Sequence, residues 1–138
     1  MKDSRVVLLD SNIFLRVIAN DLSSQSKRAI SLFKKIEDKE IKAQVSILVI
    51  NEVMWLLEKY YNFPRSLYVR QLLQLLSLDY IKILEISKKD LLYILQLFQE
   101  NKVDFTDYYL YHFGKQMNFS VASFDNDFKK LKAKIFSL

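Results

Sequence analysis

The stretch Val6-Val7-Leu8-Leu9-Asp10-Ser11-Asn12-Ile13-Phe14 runs from an apolar segment straight into three polar residues. Val6 to Leu9 reads as a short strand, since β-branched and aliphatic residues without a helical period suit a buried strand. Asp10 then stands at the carboxyl end of that strand, where a charge is costly unless it is paired or binds a cation. Two readings of Asp10 remain open. It is a metal-binding carboxylate supported by Ser11 and Asn12, or it caps the helix that follows, a position that Asp, Ser and Asn all favour.

Outward from this stretch, strand-like runs alternate with helical ones. The strand candidates are Val6–Leu9, Lys42–Val45, Ile81–Leu84, Phe119–Ala122 and Lys134–Phe136. Between them, Val69, Leu72, Leu73 and Leu76 repeat at helical spacing, as do Leu91, Ile94, Leu95 and Phe98, and then Leu110, Phe113, Gly114 and Met117. Pro64 is placed to start the helix carrying the first of these stripes. Such alternation predicts an α/β fold with a parallel sheet and helices on both faces, in one domain spanning residues 1–138. In such sheets ligands bind beyond the carboxyl ends of the strands. Asp10 follows the first strand and Asp125 the fourth, while Ser46 ends the second and is placed to cap the next helix.

Composition narrows the chemistry. There is no cysteine and one histidine, His112, so disulfides, thiolate metal sites, cysteine nucleophiles and paired-histidine mechanisms are excluded. A metal here must be held by oxygen, which favours Mg²⁺ or Mn²⁺ over zinc or copper. His112 lies among Tyr108, Tyr109, Tyr111 and Phe113 and reads as a packing residue; Trp55 and the tyrosines read as core or subunit interface. The 21 basic and 16 acidic residues leave a net charge of +5, which attracts polyanions such as nucleic acid but is also common in lysine-rich proteins. The run Lys129, Lys130, Lys132, Lys134 is a solvated face or a track for phosphates. No apolar run reaches the roughly 18 residues that span a bilayer, and residues 1–5 show no cleavage signal, so a cytoplasmic protein is expected.

Three more carboxylates stand out beside Asp10. Glu52 falls at the i+3 position of a stripe formed by Val49, Val53 and Leu56, where it either serves function or snorkels at the edge. Asp104 and Asp107 have the spacing of an N-cap and third helical residue, so the pair reads as a cap; Asp107 is also in line with Leu110, Gly114 and Met117 and can reach the sheet edge. In Ser123-Phe124-Asp125-Asn126-Asp127, Asp125 is nearest the strand and the stronger ligand candidate, while Asp127 complements a helix dipole or joins the cluster. Other aspartate sites fit poorly. A haloacid-type phosphatase needs an aspartate where Asn12 stands, a phospho-receiver needs a paired acid and a late lysine, and a Walker loop is impossible with one glycine.

These segments resemble the PIN-domain nucleases, and among them the VapC-type toxins of toxin–antitoxin systems. The resemblance covers almost the whole chain. It rests on Leu8-Leu9-Asp10-Ser11-Asn12-Ile13-Phe14-Leu15-Arg16, on Ser46 to Val53 with Glu52 in place, on Val103-Asp104-Phe105-Thr106-Asp107, and on Val121 to Phe128 with Asp125. Tyr108 follows the third acid where the family has a small residue, which would narrow the site; Asn118 takes a common glycine's place and Gly114 a common alanine's. The resemblance implies a three-layer α/β/α sandwich around a five-stranded parallel sheet in the order 3-2-1-4-5. It implies hydrolysis of RNA with one or two Mg²⁺ or Mn²⁺ ions, a homodimer and inhibition by a small antitoxin protein.

Asp10, Glu52, Asp107 and Asp125 are then the expected metal-binding and catalytic acids. Asp10 and Asp107 are expected as direct ligands. Glu52 and Asp125 would ligate directly or through water, one of them orienting the nucleophile. Ser11, Asn12 and Ser123 would support them from behind, with Asp104 and Asp127 peripheral, and Arg16 and Lys27 would hold the RNA backbone. A PIN nuclease for RNA maturation without an antitoxin, and a non-catalytic PIN scaffold, are the alternatives.

Overall fold

The computed structural model describes residues 6–21 and 23–138, so the reading of residues 1–5 lies outside the described residues. Two compact units divide the chain, Met1–Leu92 and Tyr93–Leu138. No helix among the described residues is long and apolar enough to cross a membrane.

The first unit is built on a parallel sheet of β1 (Val6–Leu8), β2 (Lys42–Val45) and β3 (Ile81–Ile83) in the order β1-β2-β3. Val7 lies opposite Ala43, and Ala43 opposite Ile81. The ladder runs past the strand ends, where the Leu9 N–H donates to the Gln44 carbonyl at 2.9 Å and the Leu84 N–H to Val45 at 3.0 Å. The helices are α1 (Ser11–Ile18), α2 (Ser23–Glu37), α3 (Ile47–Trp55), α4 (Arg65–Leu76) and the beginning of α5 (Lys88–Gln99). α1 packs against α2, α3 and α4. Its buried Phe14 meets Phe33 of α2 edge to face, with ring centroids 5.4 Å apart, and burying each such side chain contributes about 1.5–3 kcal/mol.

Val69, Leu72 and Leu76 are buried as the α4 stripe predicts, and all four stripe residues of α5 are buried. Pro64 occupies the N-cap of α4, with φ −58°. α3 differs from the expected register. The buried stripe is Ile50, Val53, Met54 and Leu57, and Glu52 is exposed rather than set within an apolar face. The helix turns toward the stripe with i, i+3, i+4, i+7 spacing, because four inward residues remove more apolar surface from water than Val49, Val53 and Leu56. Trp55 is also exposed, so it is not a core residue.

With a single glycine in the chain, left-handed positions fall to Asn20, Lys39, Asn62, Asn118 and Lys132. Lys39 closes α2 by a Schellman arrangement, its N–H donating to Ile36 at 3.1 Å and that of Glu40 to Lys35 at 2.9 Å. A Cβ is strained there, with φ 62°. Lys39→Gly is expected to stabilise the protein by about 0.5–1 kcal/mol, net of the extra entropy of glycine in the unfolded chain. Urea denaturation at neutral pH measures it; a variant that unfolds earlier would contradict this account of the strain.

The second unit holds the rest of α5, then α6 (Phe105–Met117) and α7 (Asp127–Lys130). Here the expected five-stranded sheet is not formed: the described sheet has three strands, and the two later candidates meet only in one parallel bridge, Val121 to Ile135. The Val121 N–H donates to Lys134 at 2.7 Å and the Phe136 N–H to Val121 at 2.8 Å, and the pairing goes no further. The left-handed residues Asn118 and Lys132 stand just before the two segments, and Phe119 and Phe136 are exposed, so neither has an apolar face long enough to reward a longer ladder. The pairing that does form, β3-β2-β1 and separately the fourth with the fifth segment, agrees with the expected neighbours.

α6 also differs from its predicted stripe, since Leu110 and Met117 are exposed while Phe105 and Tyr108 are buried. Aromatic contacts decide its rotation: Phe98–Phe105 at 5.9 Å, Phe105–Tyr109 at 6.1 Å and Tyr109–Phe113 at 4.9 Å. His112 belongs to the same network, its ring 5.8 Å from Tyr93 and 5.2 Å from Phe113, as a packing residue would be. Tyr108 is part of the core.

Candidate metal centre

In the second unit, α6 begins with Asp104 at its N-cap and Asp107 as its third residue. The cap positions are as predicted, but the Asp104 side chain makes no capping hydrogen bond, so capping does not account for that acid. After the Val121 bridge the chain turns on itself. The Asp125 N–H donates to the Ser123 hydroxyl at 2.9 Å, and the Asp127 N–H to Asp125 Oδ1 at 2.9 Å. These two turns bring Asp125 and Asp127 to Asp107, with one carboxylate oxygen of each lying within 4.8 Å of the others. Asp127, expected only at the periphery, is a full member of the cluster. It also meets Lys130 at 3.3 Å.

Partial burial, and then the negative charge of Asp125, Asp104 and Asp127, hold the Asp107 carboxyl above its ordinary range. Three oxygen donors this close, in a chain without cysteine, form a hard set that suits Mg²⁺ or Mn²⁺. A divalent cation would offset the repulsion that now disfavours the charged form of Asp107.

In the first unit, Asp10 stands at the N-cap of α1, where its Oδ1 accepts the Ser11 N–H at 2.8 Å. Asp10 is exposed and Ser11 buried. Ser46 caps α3 as predicted, its hydroxyl accepting the Leu48 N–H at 3.1 Å and donating to Glu85. Glu85 also accepts the Ile47 N–H at 2.8 Å. Burial works against the Glu85 charge, but these bonds outweigh it and hold the carboxyl below its ordinary range. Glu85 follows β3 as Asp10 follows β1, and sequence reading missed it; a carboxylate directly after a strand was the available signal.

Arg16 is engaged within the unit. Its Nη1 lies 2.9 Å from Asp21 and its Nε donates to Gln25 at 2.9 Å. Burial works against its charge, but bonds with Tyr61 and Asp21 hold the guanidinium above its ordinary value. Arg16, Asn12, Gln25 and Arg28 line a cavity of about 350 Å³. Arg28 is the second cation lining that cavity, and Lys27 is not among its lining residues.

Residues 7–134 match the family profile of the PIN domain. The chain belongs to the PIN domain family. No curated protein matches it. PIN membership agrees with the parallel α/β architecture.

Proposed function

We propose that this PIN domain is a divalent-metal-dependent ribonuclease, the toxin of a VapBC-type pair. The observation that carries the reading is the group Asp107, Asp125 and Asp127, gathered at one point, with the Asp107 carboxyl held above its ordinary range first by burial and then by its acidic neighbours. Among the described residues Lys130 pairs with Asp127, which offsets part of the cluster's charge. The resemblance of the Asp10 and Glu52 segments to family motifs supports assigning both as further acids of the same chemistry.

Bound Mg²⁺ or Mn²⁺ supplies positive charge that activates water and stabilises the developing negative charge on the phosphate. Asp107 and Asp10 are assigned to hold it, and Glu52 or Asp125 to orient the attacking water and take its proton. The water oxygen forms a bond to phosphorus as the bond to the leaving oxygen breaks, and that oxygen gains a proton. Ser123 shapes the site by holding the backbone of Asp125. A homodimer and a small antitoxin partner belong to the same proposal.

The test is cleavage of single-stranded and structured RNA with Mn²⁺, comparing wild type with Asp10→Asn. A fall of at least about 100-fold is expected for loss of a metal ligand. Equal cleavage by both would remove Asp10 from the mechanism. Sequencing RNA ends after induced expression then separates a toxin, which leaves new ends in growing cells, from a maturation nuclease.

A further inference from the structure

The second unit carries a cleft of about 410 Å³ lined by Tyr111, Gly114, Lys115, Phe119, Lys132 and Lys134, with Asn118 and Val121 at its base. Its chemistry is the reverse of the acid cluster's. Lys115, Lys132 and Lys134 make no ion pair among the described residues, whereas Lys130, from the same basic run, is engaged with Asp127. Phe119 is 59% exposed among these cations, an apolar ring open to solvent. Lys132 holds a left-handed conformation, φ 60°, that glycine fills more cheaply. The Lys132 N–H donates to Lys129 at 3.0 Å and that of Ala133 to Phe128 at 3.0 Å, so the turn fixes where this lysine leaves the backbone.

The cleft and the acids share one helix. Asp107, Tyr111 and Gly114 recur at i, i+4 and i+7 along α6, and Lys115 lies eight residues from Asp107, about 12 Å at the helical rise. Gly114 keeps the floor low: a Cβ there would stand 3.3 Å from the Phe119 carbonyl oxygen. Unpaired cations beside accessible aromatic rings, here the exposed Phe119 and the half-buried Tyr111, are what a single-stranded polynucleotide uses, phosphates on the lysines and bases on the rings. A duplex hides its base faces and would leave Phe119 without a partner.

We propose that this cleft grips single-stranded RNA about 12 Å from the acid cluster, with Lys115, Lys132 and Lys134 on phosphates and Phe119 and Tyr111 under bases. The choice of RNA among polyanions rests on the nuclease reading above; the charge and ring pattern does not.

The probe is a fluorescein-labelled single-stranded oligoribonucleotide of twelve uridines, bound to the full chain in EDTA, with anisotropy followed against salt. The triple variant Lys115→Gln, Lys132→Gln, Lys134→Gln is expected to bind at least tenfold more weakly. Its slope of log K against log salt should be smaller by about 2, since each single-strand phosphate contact contributes about 0.7. Phe119→Ala should cost roughly tenfold with the slope unchanged. The corresponding triple arginine variant should bind as wild type does, which separates lost charge from lost folding. Lys34→Gln with Lys35→Gln on α2 should change nothing. A triple glutamine variant with wild-type affinity and slope would overturn the proposal, as would duplex RNA of equal length binding as tightly as the single strand. Loss of binding by the glutamine variant in a protein that cleaves no RNA would support the cleft while sinking the nuclease reading. Unchanged binding with intact cleavage would do the opposite.

Discussion

Asp107→Asn is expected to melt higher than wild type in EDTA and to cleave RNA at least about 100-fold more slowly with Mn²⁺. Both effects come from one cause. Asp107 is held above its ordinary range, first by partial burial and then by Asp125, Asp104 and Asp127. For a raised carboxyl the sign is unusual. The fold favours the protonated form, so this group costs nothing below its unfolded pKa and its penalty grows as pH rises through the raised value. Above the raised value the penalty is fully present, and the neutral amide removes it. The gain should be roughly 0.2–1 kcal/mol, because the site is partly exposed and water screens the repulsion. Adding Mn²⁺ should reverse the order. A cation at 100 times its Kd stabilises the wild type by about 2.7 kcal/mol, and the variant far less. Differential scanning calorimetry with EDTA and with Mn²⁺ reads both halves. An Asp107→Asn protein that melts lower in EDTA, or gains as much from Mn²⁺, would refute the assignment.

Arg65→Ala should be the most destabilising of the substitutions considered, by about 2–4 kcal/mol, somewhat below the cost of breaking a fully buried pair. Arg65 and Glu58 form a two-pronged pair, Nε to Oε1 at 2.7 Å and Nη2 to Oε2 at 3.1 Å. The buried Tyr68 hydroxyl donates to the same Oε1 at 3.1 Å. The two charged side chains are only 14% and 24% exposed, so removing the guanidinium leaves a half-buried carboxylate with only the Tyr68 hydroxyl and the more distant Lys59, at 3.9 Å, to offset it. Glu58 closes the π-helical turn Leu56–Tyr60 onto α4, and that junction should loosen. The hydrogen bond from Arg65 chiefly holds the Glu58 carboxyl below its ordinary 4.5, against the opposing effect of burial. A lowered carboxyl contributes stability above its unfolded pKa and loses it as pH falls through the lowered value. The gap between wild type and Arg65→Ala should therefore narrow as urea melts are carried from pH 7 below pH 4.5. A gap that stays constant across that range would show that packing, not charge, sets the cost.

Local signals survived folding where one residue and its neighbours decide the outcome. Ser46 caps α3, Asn118 takes the left-handed position after α6, and the α4 and α5 stripes are buried. Each depends on a hydrogen bond or a helical period written within a few residues. Signals that required choosing between two apolar faces did not survive as well. α3 turned Glu52 outward, and α6 followed its aromatic rings rather than Leu110 and Met117. Which stripe wins depends on what the rest of the fold offers it, and no local spacing encodes that.

The sequence by itself determined the chemistry available: all-oxygen ligands, no thiol, one histidine, and acids directly after strands and at helix starts. It also determined that the sheet is parallel, through the alternation of strand and helix, while the order of its strands came from the family resemblance. Only the tertiary structure decided which acids meet. Asp127 reaches Asp107 because two side-chain-to-backbone turns fold the chain back, and Asp104 stays uncommitted because its expected cap bond is not made. Only it placed Lys115 beside Lys132 and Lys134, 17 or more positions on in the sequence. A carboxylate's partners are set by distances of a few ångströms across segments remote in the chain, and spacing along the sequence holds no record of them.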